Sequence, residues 1–177
     1  LQILRVLCAA VIFLVGTLVV AWGFNAPDVA RLAIGLDDFR AGSVSMPDAR
    51  VLEVRGPLNA GIAKKLRDRL MSQPSVTTVL LNSEGGWVRE GERIGRLISQ
   101  FDLNTHTETE CSSACAAAFL YGNRRTLSPG AYLGFHSASG AGMDPIYIQW
   151  TNESLAQRLI ELGASTEFIN RAFSTPA

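Results

Sequence analysis

What this 177-residue sequence has least of is net charge, since 16 basic side chains are matched by 16 acidic ones. Nucleic-acid binding leaves a basic excess with clustered Lys and Arg, so that class of partner is set aside. The one short basic run, Lys64, Lys65, Arg67 and Arg69, reads as the solvated face of a helix. Histidine is scarce, at two, and cysteine at three. Without paired His or Asp ligands they form no zinc signature, and neither a metal nor a cofactor is expected. Heptads and low-complexity tracts are missing too, which excludes a coiled coil or a fibrous array. What remains is 47% hydrophobic and 18% charged, a composition that can bury a core.

Charge is absent altogether between Arg5 and Asp28. The 22 residues 6–27 would make roughly 33 Å of helix at about 1.5 Å per residue, against a hydrocarbon core of about 30 Å. Val11, Ile12, Phe13, Leu14 and Leu18 supply lipid-facing bulk, Cys8 packs inside the span, and Trp22 and Phe24 fall where an interfacial aromatic belt would lie. A cleaved secretory signal also opens with a basic residue. This run, however, exceeds the roughly 7–15 residues of a signal's apolar region, and no small-x-small cleavage site follows. The reading is an uncleaved transmembrane helix over residues 1–24, meeting lipid through residues 6–24. Arg5 before the span leaves the N-terminus cytoplasmic by the positive-inside rule. The expectation is a single-pass protein of a bacterial inner (cytoplasmic) membrane with its globular part in the periplasm.

Residues 25–49, with Asn25, Pro27, Gly35, Gly42 and Pro47, read as a linker. From residue 50 strand and helix patterns alternate. Val51–Val54 reads as a strand, and Asn59 as the N-cap of a helix through Ile62, Leu66, Leu70 and Met71. Val76–Leu81 is β-branched and apolar on both faces, like a buried parallel strand. A helix with Val88, Ile94, Leu97 and Ile98 follows the Ser83-Glu84-Gly85-Gly86 turn. Thr105–Glu110 reads as a polar strand, and Ala131–Phe135 as another. Asp144-Pro145 starts a helix running to Leu162 with a break near Thr151, and Ser165 or Thr166 caps a last short one. Alternation of this kind predicts an α/β domain with a mostly parallel sheet over residues 50–177.

Three patterns carry chemistry. Asn82-Ser83-Glu84-Gly85-Gly86 ends a buried strand and opens a helix, where bared backbone N–H groups stabilise developing negative charge. In Cys111-Ser112-Ser113-Ala114-Cys115, Ser113 has small residues two before and two after it, as in a nucleophile elbow, and the N–H of Ala114 would be an oxyanion donor. His136 ends a strand, placed to accept a serine proton as general base. An ordinary strand-to-helix turn, a serine N-cap and a loop histidine are the plainer alternatives. His106, within Thr105-His106-Thr107, reads as structural or solvent-facing. Cys111 and Cys115 could be bridged only if Cys111 lies before the helix, because Cβ atoms at i and i+4 of a helix are too far apart; small buried thiols are the alternative. The sequon Asn152-Glu153-Ser154 falls in a helix and carries no weight.

Taken in order, Leu81-Asn82-Ser83-x-Gly85-Gly86, Ser113 opening an Ala-rich helix, and Pro129 seven residues before His136 resemble the Clp protease proteolytic subunit of the Clp/crotonase superfamily. Within it the pattern is similar to membrane-anchored or periplasmic Clp-protease-like proteins with a Cys-x-Ser-Ala-Cys core. The resemblance covers about residues 50–173. It implies a spiral of β-β-α units, Ser113 as nucleophile, His136 as base, and the N–H groups of Gly86 and Ala114 as oxyanion hole. Glu84 stands where many relatives have proline, and the Ser113–His136 spacing is two residues shorter. The family's orienting aspartate is expected around Pro176 or slightly later, and no Asp follows Asp144. Either the acid lies past Ala177, the C-terminus being incomplete, or the site is a Ser–His pair. Two functions follow: a membrane-anchored serine hydrolase acting on peptides or proteins, or an inactive accessory subunit whose helix docks it onto a membrane protein complex. A homo-oligomer fits either. A crotonase-type acyl-CoA site would need no Ser113/His136 pair.

Overall fold

The computed structural model describes residues 42–139 and 144–175. The expected membrane helix and most of the expected linker lie outside them. Among the described residues no helix is long and apolar enough to cross a membrane.

The chain repeats one unit: a strand in a main sheet, a short extended stretch that turns out of it, and a helix. The first comprises β2 (Val51–Arg55), Leu58 and α1 (Ile62–Ser72). The second comprises β3 (Thr78–Asn82), the bridge residue Gly86 and α2 (Val88–Gln100). Then come β4 (Asn104–Thr107), β5 (Glu110–Ser112) and α3 (Ala114–Phe119), and finally β6 (Arg125–Leu127), β7 (Tyr132–Gly134) and α4 (Pro145–Glu161). A last helix, α5 (Thr166–Ser174), follows. Strands β2, β3, β4 and β6 pair parallel in that order. The out-turned stretches pair parallel as well: Leu58 with Gly86, Ser83 with Cys111, and β5 with β7. The described residues thus form an α/β fold with a mostly parallel sheet.

At the open edge of the sheet β1 (Ser43–Asp48) pairs antiparallel with β2. The linker expected to reach residue 49 therefore gives way to a strand at Ser43; its Pro47 sits at the edge, where a missing N–H is tolerated. Burial follows the sequence patterns more closely. Leu52 and Val54 of β2, Val79 and Leu81 of β3, Ile62, Leu66 and Leu70 of α1, and Ile94 and Ile98 of α2 form one core. A second cluster joins Ala117 to Leu159 of α4 and Ile169 of α5. Helix α3 carries only small residues from Ala114 to Ala118 because α2 crosses it at backbone distance. A Cβ on Gly91 would lie 2.4 Å from the carbonyl oxygen of Ala114, so only glycine fits there.

Asn82 explains why the expected strand Thr105–Glu110 is broken into β4 and β5. Its Oδ1 accepts from the Oγ1 atoms of Thr107 and Thr109 and from the N–H groups of Glu108 and Thr109, at 3.1–3.3 Å. The chain turns around this one buried amide. Elsewhere, Gly61 rather than Asn59 immediately precedes α1. Helix α4 is unbroken at Thr151, whose hydroxyl donates to the Tyr147 carbonyl of its own helix at 2.8 Å. The Asp144 side chain caps α4 by accepting from Ile146 N at 2.7 Å.

The Asn82 amide also donates to Glu53 at 3.0 Å. Burial pushes the Glu53 carboxyl up, but hydrogen bonds from Asn82, Arg55 and Ser45 and the Arg55 charge outweigh it, leaving it below its ordinary value. A carboxyl depressed in the folded state stabilises the fold above its unfolded pKa of about 4.3, and the gain disappears as pH falls through the lower folded value. Between about pH 5 and pH 3, the denaturant midpoint of wild type should therefore fall more steeply than that of Glu53→Gln. Equal slopes would remove Glu53 from the acid response.

Candidate active site

Ser113 is the corner between β5 and α3, and its backbone is strained: φ is 57° and ψ −125°. Apart from Asp102 it is the only non-glycine at positive φ among the described residues. Such conformations cost on the order of 1–3 kcal/mol and persist only where the surroundings over-determine them. Here Ser113 N donates to the Gly134 carbonyl at 2.7 Å and Ser112 N to the Ser83 carbonyl at 2.9 Å, tying the corner to β7 and to the diglycine turn. Gly85 of that turn lies beside it and leaves it room by having no side chain. A Cβ at Gly85 would sit 2.6 Å from both Ser113 Cβ and the Ser112 carbonyl, and 3.2 Å from Ala114 N.

Cys111 and Cys115 are joined by a disulfide with Cα atoms 5.2 Å apart. The thiol alternative is thus overturned, because Cys111 lies in β5, before the helix. Both cysteines are fully buried.

Half-buried His136 follows β7, and its Nδ1 lies 2.7 Å from the Ser137 carbonyl oxygen. A carbonyl only accepts, so this contact assigns the neutral ring's proton to Nδ1 and leaves Nε2 as the open acceptor. Ser137 is itself held, its N–H and hydroxyl both donating to the Thr175 carbonyl just past α5, at 3.1 and 3.3 Å. Ser113, Ala114 and His136 line one crevice of about 20 Å³, together with Val88, Phe135 and Ala138. That space takes roughly one water-sized group. No hydrogen bond joins Ser113 to His136. Gly86 lies outside this lining. It borders an adjoining cavity of about 330 Å³ that shares Val88 and Ala138 with the crevice.

A third cavity, of about 420 Å³, opens beside Ala114 and Ala117 between α2 and α4. Its walls include Val88, Leu155, Leu159, Tyr147 and Trp150, and Arg89, Arg96 and Arg158 also line it. The Tyr121 hydroxyl is buried there with no hydrogen-bond partner among the described residues. Burial pushes its pKa up, so it stays a neutral donor.

Sequence reasoning passed over Asn152. Its Oδ1 accepts from Ala138 N at 2.7 Å, so α4 fixes the segment that follows His136. The sequon there carries no weight, and only the tertiary contact reveals the role of Asn152. His106 stands apart from the site, its ring nitrogens on Thr126 and Ser128.

No family model and no curated protein matches the chain in sequence. Solved structures do match it in fold. ClpP1 from Listeria monocytogenes superposes with a TM-score of 0.64 at 22% identity, over 73% of this chain and 82% of that one. The ClpP protease catalytic domain from Plasmodium falciparum superposes with a TM-score of 0.61 at 18% identity, over 72% and 75%. The chain therefore has the fold of ClpP protease domains.

Proposed function

We propose that the chain is a Clp-like serine hydrolase acting on peptide or protein segments, with Ser113 as nucleophile and His136 as general base. The observation that supports this reading is that a strained corner serine and a histidine whose Nδ1 is taken up by the Ser137 carbonyl line one crevice. In the reaction Ser113 Oγ attacks the substrate carbonyl carbon while His136 Nε2 takes its proton. The oxyanion is met by the N–H of Ala114, the residue after the serine, and by that of Gly86, which has no hydrogen-bond partner among the described residues. The imidazolium then protonates the leaving amine. Water, deprotonated by the same nitrogen, hydrolyses the acyl-enzyme and regenerates Ser113. The apolar cavity beside Ala114 suits a large substrate side chain.

The compartment belongs to the proposal too. A transmembrane helix over residues 1–24, meeting lipid through residues 6–24, anchors the chain in a bacterial inner membrane, and the catalytic domain faces the periplasm. A fully buried disulfide supports that reading, because such bridges persist in oxidising compartments.

The test is a fluorophosphonate probe applied to the full chain in membranes, beside Ser113→Ala. Labelling of the membrane-fraction band, lost in the variant, is the expected result. No labelling of either would favour the accessory-subunit reading, and equal labelling would put the nucleophile elsewhere.

A further inference from the structure

The disulfide straddles Ser113, with one cysteine in the strand before the corner and the other in the helix after it. We propose that the Cys111–Cys115 bridge is a positioning device for the nucleophile, holding Ser113 in its positive-φ conformation. The inference rests on Ser113 being the reactive serine. It starts from the two ways in which the corner could relax. If the strand ran on through Ser113, residues 111 and 115 would lie about 13 Å apart, against the 5.2 Å between their Cα atoms. If the Ala-rich helix grew backwards by a turn, the two Cβ atoms would be about 5–6 Å apart, beyond the roughly 3.5–4.5 Å that a disulfide accepts. Only a corner between strand and helix accommodates the bridge.

Backward growth is the real competitor. Ala114, Ala116, Ala117 and Ala118 have high helix propensity, and a helix as short as α3 gains by lengthening. Growth would also release the strain at Ser113. The hydrogen bond from Ser113 N to the Gly134 carbonyl opposes it, but it acts on backbone that the growing helix would carry away. The bridge does not yield in that way. It closes a very short loop, so it constrains little of the unfolded chain, and its effect is concentrated on the corner.

The experiment measures fluorophosphonate inactivation of the full chain over a range of probe concentrations, for oxidised wild type and for Cys111→Ala/Cys115→Ala. The expected result is a maximal inactivation rate lower by about tenfold in the variant. The half-saturating probe concentration should stay within about twofold, and the circular dichroism should be unchanged. A merely structural bridge would not split rate from affinity in this way. A folded variant reacting at the wild-type rate would overturn the proposal and leave the nucleophile reading standing. Unreactive wild type would sink both. Cys111→Val/Cys115→Ala, which refills the volume, is the second variant; if both variants unfold, the bridge is a general fold element and the positioning role is refuted.

Discussion

Replacing His136 by alanine will slow fluorophosphonate labelling of Ser113 by roughly 10²–10⁴, the range that a positioned general base contributes. The expectation rests on the two ring nitrogens having different partners. Nδ1 is committed to the Ser137 carbonyl, so Nε2 is the only ring nitrogen free to take the serine proton. His136→Ala should fold, because the ring is only half-buried. His106→Ala is the matched control. It removes an imidazole of the same chemistry from the far side of the sheet, where Thr126 and Ser128 hold it, and it should leave labelling within about twofold. Loss of labelling in both variants would point to a shared folding defect, and retention in His136→Ala would remove the histidine from the mechanism.

Which parts of this arrangement could be read in the sequence follows from the range over which each signal acts. Val79 and Leu81 declare a buried parallel strand by local composition alone, and the structure buries both fully. Asp144-Pro145 declares a helix start through the chemistry of two adjacent residues, and the cap forms. The edge strand Ser43–Asp48 stayed hidden among turn residues because an edge strand needs only one pairing partner, here β2 across a two-residue turn. The break between β4 and β5 was likewise invisible, since the amide that causes it comes from β3.

The site divides along the same line. Ser113 and its small neighbours form a local pattern, so they could be picked out. That Ser113, Ala114 and His136 line one crevice is a consequence of β5 pairing with β7, in a register that puts Ser112 opposite Gly134. Asn152 acts from a helix 14 positions beyond the loop residue it holds, Ala138. The disulfide hinged on where one helix begins, and a shift of two residues in α3 would have forbidden it.

The diglycine turn supplies the second large effect, and it separates two reasons for a glycine that the sequence cannot tell apart. Gly85 and Gly130 both have positive φ, 102° and 83°. An added Cβ at Gly130 would meet nothing within 4 Å, whereas at Gly85 it would come 2.6 Å from Ser112 O and Ser113 Cβ. Gly130→Ala therefore bears only the backbone penalty, about 1–2 kcal/mol, and should label at the wild-type rate. Gly85→Ala adds an overlap with backbone that has nowhere to go, costing a further 1–3 kcal/mol or so. A denaturant melt of the two variants should show Gly85→Ala as the less stable by about that amount. The larger consequence is chemical, because relieving the overlap moves the turn away from Ser113 and Ala114, which parts the two proposed oxyanion donors. Under conditions where Gly85→Ala is still folded, its labelling should drop by about 10² or more, the loss that follows removal of one such donor. Equal stability of the two variants would mean that the turn yields freely. In that case the closeness of Gly85 to the serine holds nothing in place.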